Sequence, residues 1–179
     1  MHYALSFLLA FRFLAAAGAA VVSFGIFSSN PAASVSVMLI SGEALSIILV
    51  LASHAKNGGG KELRPYVDSI SRIAAFFALS NIALAWAAVP LIVAIADITI
   101  VYCRVALAGT AATLEEGLTS KILWIVHAIV ILALAAFAFC MDAGYTTAAA
   151  IGSITVILSS SVAAVNAVLK AFTNRSRIR

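Results

Sequence analysis

Apolar residues fill six long segments of this chain, and short polar stretches separate them. Each segment approaches the roughly 20 residues that an α-helix needs to cross the hydrocarbon core of a bilayer. Turn-forming residues punctuate the pattern at Asn30-Pro31, at the three glycines that end with Gly60, and at Pro90. The pattern predicts six helices, at about residues 3–27, 33–52, 66–89, 91–108 and 121–141, and, after a turn at residues 142–145, a sixth that runs to about residue 172.

The composition indicates the class of protein that this pattern builds. Hydrophobic residues make up 64% of the 179 residues and charged residues only 10%, against about 45–50% and about 25% in soluble domains. We therefore predict an all-α integral membrane protein with six transmembrane helices in one compact bundle. In this prediction residues 1–172 form a single transmembrane domain, and residues 173–179 form a basic cytoplasmic tail.

The basic residues predict how the bundle is oriented. If the spans alternate, eight of the eleven Lys and Arg residues fall on one side and the opposite turns hold none; the eight are Lys56, Lys61, Arg64, Lys121, Lys170, Arg175, Arg177 and Arg179. The positive-inside rule makes that side cytoplasmic, so both termini are predicted to be cytoplasmic, in an inner or plasma membrane. A net charge of +4 would suggest a nucleic-acid partner in a soluble protein, but here the basic residues flank membrane spans and set the orientation, so we predict no nucleic-acid partner. The arginines of the tail predict contact with anionic phospholipid.

Charged residues also fall inside the predicted spans, where each costs several kcal/mol unless it is paired or hydrated. They are Arg12, Glu43, Asp68, Arg72, Asp97 and Arg104. All of them lie between the midplane and the cytoplasmic end of their helices in the predicted topology, so we expect them to meet inside the bundle. Asp68 and Arg72 stand four residues apart on one helix, which predicts a structural ion pair.

Two interpretations of these charges stay open. In the first they are structural ion pairs and arginines whose charged ends reach toward the interface. In the second they line a polar cavity, open to the cytoplasm, for an anionic or metal-bound ligand. Gly60 would then let the backbone approach a phosphate, and His127 would be an acid or base rather than a hydrogen-bonded interior residue.

Small residues recur at four-residue spacing, as at Ala148 and Gly152, and allow helices to pack closely within or between subunits. Other membrane subunits, or a second copy of this chain, are therefore candidate partners beside the lipid bilayer itself. The four-residue spacing of these small residues indicates helix packing and no catalytic or ligand-binding role.

Three stretches of the sequence carry a resemblance to a known family. They are LSFLLAFR, which ends at Arg12, PYVDSI, which begins at Pro65, and LTSK, which ends at Lys121. In order and position they resemble segments of the CDP-alcohol phosphatidyltransferases, six-helix membrane enzymes of phospholipid synthesis. The resemblance implies a six-helix transmembrane fold and a site on the cytoplasmic side.

The signature of that family, D-x-x-D-G-x-x-A-R followed after eight residues by G-x-x-x-D-x-x-x-D, holds divalent metal against the CDP pyrophosphate. Aligned without gaps, it begins at Glu43, passes Gly60 and ends at Asp68. Ser46 and Arg64 stand at its second and third aspartates, and a shifted register places Arg72 at the fourth. An arginine among the ligands repels a hard cation, so the resemblance implies the fold with most of the catalytic signature lost.

Three classes of function fit these observations. The first is a non-catalytic relative, a pseudoenzyme that serves as a structural or regulatory subunit of a membrane complex or as a lipid-binding module. The second is an active phosphatidyltransferase in which Glu43, Asp68 and Asp97 are the catalytic candidates and the first two bind Mg²⁺ or Mn²⁺. In that class Arg104 or Lys121 holds a phosphate. The third is a small transporter that uses the buried charges as an ion or proton path.

Overall fold

A computed structural model describes residues 2–53, 64–108, 118–140 and 145–176 of the chain. Within these ranges the regular secondary structure is entirely α-helical, in the order α1 (His2–Val22), α2 (Pro31–Ser53), α3 (Arg64–Asn81), α4 (Ala88–Ala108), α5 (Leu118–Cys140) and α6 (Tyr145–Ser176). The predicted all-α class is confirmed for this part of the chain. The glycine-rich loop with Gly60, and residues 177–179 of the predicted tail, lie outside the described residues.

Two of the described helices are long and apolar enough to cross a membrane. The qualifying segments are Ile122–Phe139 in α5 and Thr146–Thr173 in α6, and 33% of the 18-residue apolar window in each is buried inside the bundle. Shorter apolar helical segments cover Ala10–Val22, Pro31–Leu45 and Ala88–Cys103. Because most of each window is not buried, these helices differ from the core helices of a soluble protein, which are mostly buried. The six-span architecture stays a prediction.

The helices pack as a closed ring. Each helix contacts the next in the order α1, α2, α5, α6, α4, α3, and α3 returns to α1. In addition, α3 contacts α5 across the interior. On α3 the side chains of Phe76 and Leu79 have no exposed surface. Ser71 and Arg72 of the same helix are buried as well, and buried polar groups need partners.

The first helix ends at Val22 rather than at the predicted Phe27. Gly25 adopts a φ of 75°, which glycine tolerates without steric cost and which a continuing helix excludes. The hydroxyl of Ser23 accepts a hydrogen bond from the Asn81 side chain at 2.9 Å. This contact holds the end of α1 against the end of α3.

The turn between α3 and α4 also differs from the prediction, which placed it at Pro90. The third helix ends at Asn81, Ala83 adopts a φ of 63°, and α4 begins at Ala88. Pro90 thus lies in the first turn of α4, where a missing backbone N–H breaks no helical hydrogen bond. At the other end of the chain, α6 continues past the predicted Phe172 to Ser176.

Gly42 of α2 packs closely against α1. A Cβ atom at this position would stand 3.0 Å from the Cβ of Ala15, whereas a Cβ at Gly18 would stand 3.5 Å from the sulfur of Met38. We expect Gly42→Ala to destabilise the protein, because crowding costs about 1–3 kcal/mol and the gain in helix propensity is only about 1 kcal/mol.

Thermal melting in detergent checks this expectation, with Gly18→Ala as the matched control. The control makes an ordinary contact with a flexible side chain and is expected to melt at or above the wild-type temperature. Equal melting temperatures for the two variants would show that α1 and α2 accommodate the added methyl group at Gly42 without a loss of stability.

Candidate functional site

Arg12 of α1 is buried, with 2% of its surface exposed, and binds carboxylates from two other helices. Its Nε donates to Oε1 of Glu43 at 3.2 Å, and its Nη2 donates to Oε1 at 3.0 Å and to Oε2 at 3.2 Å. Its Nη1 donates to Oδ1 of Asp68. The planar fork of the guanidinium allows this two-sided binding, which a lysine ammonium cannot reproduce. One side chain thereby joins α1 to α2 and α3.

The same guanidinium also faces an aromatic ring on α5. The Cζ of Arg12 lies 5.9 Å from the centroid of Trp124. Cations over indole rings gain about 2 kcal/mol or more when they are desolvated. We call Arg12, Glu43, Asp68 and Trp124 the Arg12 cluster; it connects four of the six described helices.

A second ion pair connects α3 to α4. The Nη2 of Arg72 donates to Oδ1 and Oδ2 of Asp97 at 2.9 and 2.8 Å, and both side chains are buried. The same nitrogen lies 3.4 Å from the hydroxyl of Ser69. Because removal of one partner would leave a charge inside the bundle, this pair constrains how α3 and α4 pack.

The two residues of the predicted ion pair, Asp68 and Arg72, each bind a partner on another helix, and their pairing with each other stays a prediction. Asp68 binds Arg12, and Arg72 binds Asp97. The four-residue rule describes neighbours on one helical surface. Inside a bundle, the axes of packed helices are only about 8–10 Å apart, so a long arginine side chain reaches across the interface.

His127 of α5 has no exposed surface and lies between α3 and α6. Its Nε2 is 3.3 Å from the hydroxyl of Ser159 and 3.2 Å from that of Ser160. Its ring meets Phe76 edge-on, with centroids 5.5 Å apart. The sequence analysis singled out His127 but gave neither serine a polar role. The available signal was a run of three serines, residues 159–161, within an apolar helix, because hydroxyl groups seek a partner there.

The three candidate carboxylates are thus divided between two arginines. Glu43 and Asp68 meet at Arg12, while Asp97 is held by Arg72. Among the described residues no group of three His, Cys, Asp or Glu side chains is arranged to hold a metal ion. A hard divalent cation requires several oxygen ligands, and here a guanidinium binds both carboxylate oxygens of Glu43 and Oδ1 of Asp68. The described residues therefore do not fit a Mg²⁺ or Mn²⁺ site.

The structure gives no side-chain geometry for the remaining candidate site residues. Gly60 lies outside the described residues. Arg104 and Lys121 are helical residues of α4 and α5, but their side chains also lie outside the described part of the structure. Their proposed role as phosphate ligands stays a prediction.

Comparison with protein-family models, with curated proteins and with solved structures finds no significant match to this chain. What the fold and site define is a class: a helical protein with two membrane-length apolar helices and paired charges between its helices.

Proposed function

We propose that this chain is a six-span integral membrane protein with cytoplasmic termini, in which the interior charges hold the helices together. It acts as a non-catalytic structural or regulatory subunit, or as a lipid-binding module, related in fold to the CDP-alcohol phosphatidyltransferases. The observation that carries the proposal is the binding of Glu43 and Asp68, the two best candidate metal ligands, by the guanidinium of Arg12.

The outer surface supports the membrane placement. Large apolar side chains are exposed on each described helix; among them are Leu14, Val37, Ile70, Ile98, Ile129 and Leu158. In water an apolar surface of this extent would drive association, because soluble monomers rarely expose patches larger than a few hundred Å². Lipid solvates such a surface, and the buried charges then face the interior as they do in membrane bundles.

The orientation follows from the one-sided distribution of basic residues. We expect reporter fusions at Asn57 and Arg179 to report from the cytoplasm, and a fusion at Ser29 to report from the opposite side. Paired reporters that are active on opposite sides of the membrane measure each position independently. Activity on the non-cytoplasmic side at both Asn57 and Arg179 would overturn the proposed topology.

The purified protein is expected to release no CMP from a CDP-linked lipid in the presence of Mg²⁺ or Mn²⁺, with glycerol 3-phosphate, inositol or serine as acceptor. Phosphatidyl transfer needs metal to offset the charge of the pyrophosphate, and Arg12 occupies two of the carboxylates that would bind that metal. Release of labelled CMP, with an active member of the family as positive control, measures the outcome.

One outcome of the CMP-release assay would contradict this prediction. Metal-dependent turnover that is lost in both Glu43→Gln and Asp68→Asn would replace the non-catalytic proposal by an active transferase with a rebuilt site. Ser36→Ala is the control, because it changes a buried polar residue of α2 that belongs to neither ion pair.

A small transporter is the second candidate function. Ionisable side chains from α1, α2, α3 and α4 meet inside an apolar bundle, an arrangement that ion and proton paths also use. Proton or cation flux into proteoliposomes, abolished by Arg12→Met, would favour this class over a structural subunit.

A further inference from the structure

Four buried polar atoms have no hydrogen-bond partner among the described residues. They are Oγ of Ser71, Nε of Arg72, Nε1 of Trp124 and Nδ1 of His127. The first two belong to α3 and the last two to α5. Buried polar atoms without partners are rare, because each loses its hydrogen bonds to water without replacement. Their confinement to one pair of contacting helices therefore points to a single shared cause.

Contacts at two ends place these four residues along matching stretches of the two helices. At one end, Arg12 binds Asp68 of α3 and faces Trp124 of α5. At the other end, Phe76 of α3 packs against His127 of α5. Both helices consequently run in the same direction between these contacts. Ser71 and Arg72 lie between Asp68 and Phe76 on α3, and Trp124 and His127 mark the ends of the corresponding stretch of α5.

The chemistry of the four atoms defines what they would bind. The Nε of Arg72 and the Nε1 of Trp124 only donate hydrogen bonds, whereas the Ser71 hydroxyl and the His127 Nδ1 can donate or accept. The partner must therefore accept at least two hydrogen bonds and must fit within the helix interface. A water molecule meets both conditions, and buried waters make about three hydrogen bonds each.

We propose that the interface of α3 and α5 holds ordered water, bound by Ser71, Arg72, Trp124 and His127. Water fits this position better than an anion, because Arg72 already binds the Asp97 carboxylate and Arg12 binds that of Glu43. Those carboxylates repel a further negative charge. The bound water places an exchangeable proton beside the imidazole of His127, which goes beyond the structural role proposed for the ion pairs.

The indole of Trp124 reports on this water directly. The chain has two tryptophans, so ¹⁵N-tryptophan labelling gives two indole N–H resonances in proteoliposomes, and Trp86→Phe identifies the one from Trp124. We expect magnetisation to pass from water to the Trp124 Nε1–H in proton-detected solid-state NMR spectra. Absence of this transfer overturns the proposal. A change in the chemical shift of the Trp124 resonance on titration with chloride or phosphate also overturns the proposal, because an anion would then be the ligand.

A nearly isosteric substitution provides the second readout. If the Ser71 hydroxyl binds water, Ser71→Ala removes a hydrogen bond and lowers the melting temperature in detergent. If the hydroxyl has no partner, the same change removes an unsatisfied group and leaves the melting temperature equal or higher. Ser36→Ala is the matched control, because the buried Ser36 hydroxyl donates to the Ala32 carbonyl at 2.7 Å. A Ser71→Ala variant that melts at or above the wild-type temperature overturns the proposal.

Discussion

Arg12→Met is expected to lower the free energy of unfolding by about 3–5 kcal/mol, the range for breaking a buried ion pair by removal of one partner. Methionine keeps an unbranched apolar side chain but takes the guanidinium from Glu43 and Asp68 at once. The buried carboxylate of Glu43 then lacks the cation that offsets its desolvation. Chemical unfolding in a mild detergent, followed by helical circular dichroism, measures the loss.

The control for this prediction removes all three charges together. The triple variant Arg12→Met, Glu43→Gln and Asp68→Asn leaves no buried charge in the Arg12 cluster, so it is expected to recover most of the stability that Arg12→Met loses. A triple variant that is less stable than Arg12→Met would show that the three side chains act independently. Arg12→Lys is expected to fall between the wild type and Arg12→Met, because an ammonium cannot match the two-sided geometry.

Arg72→Met and Asp97→Asn are each expected to cost about 3–5 kcal/mol, and the double variant much less than their sum. The reason is that each single change leaves one buried charge, whereas the double change leaves none. Unfolding in detergent gives the coupling energy of the pair from the four proteins of the cycle. Additive losses would mean that the two residues do not meet.

A second cycle separates the observed pairing from the one that sequence spacing predicts. Asp68 and Arg72 share a helix at four-residue spacing, but they bind Arg12 and Asp97 respectively. We therefore expect the coupling of Arg72 with Asp97 to exceed that of Arg72 with Asp68. The reverse order would restore the ion pair within α3.

These stability measurements also bear on function. An enzyme of the resembled family needs carboxylates that are available to metal, whereas a structural network needs carboxylates that are neutralised by a cation. If stability depends on Arg12 and catalysis is absent, the cluster serves the fold. If Arg12→Met proves stable and gains metal binding, the same carboxylates form a suppressed metal site.

The positions of the helices were largely predictable, but their ends were less so. Long apolar segments and helix-compatible residues are local properties, and each predicted helix has a counterpart in the structure. Pro90 was interpreted as a turn, yet it lies in the first turn of α4, and the chain reverses near Ala83 instead. An alanine with positive φ leaves no local signal, because tertiary packing imposes that conformation.

For the charged residues too, part of the outcome was predictable from the sequence and part required the tertiary structure. Sequence alone determined that Arg12, Glu43, Asp68, Arg72 and Asp97 would lie in apolar helices and would need partners, because the cost of an isolated charge in such surroundings does not depend on the fold. It also determined the helical class. Only the tertiary structure decided which carboxylate meets which arginine, and which buried polar atoms of α3 and α5 lack a hydrogen-bond partner among the described residues. The physical reason is that pairing depends on the rotation and neighbours of each helix, and these are set by side-chain packing across the whole bundle.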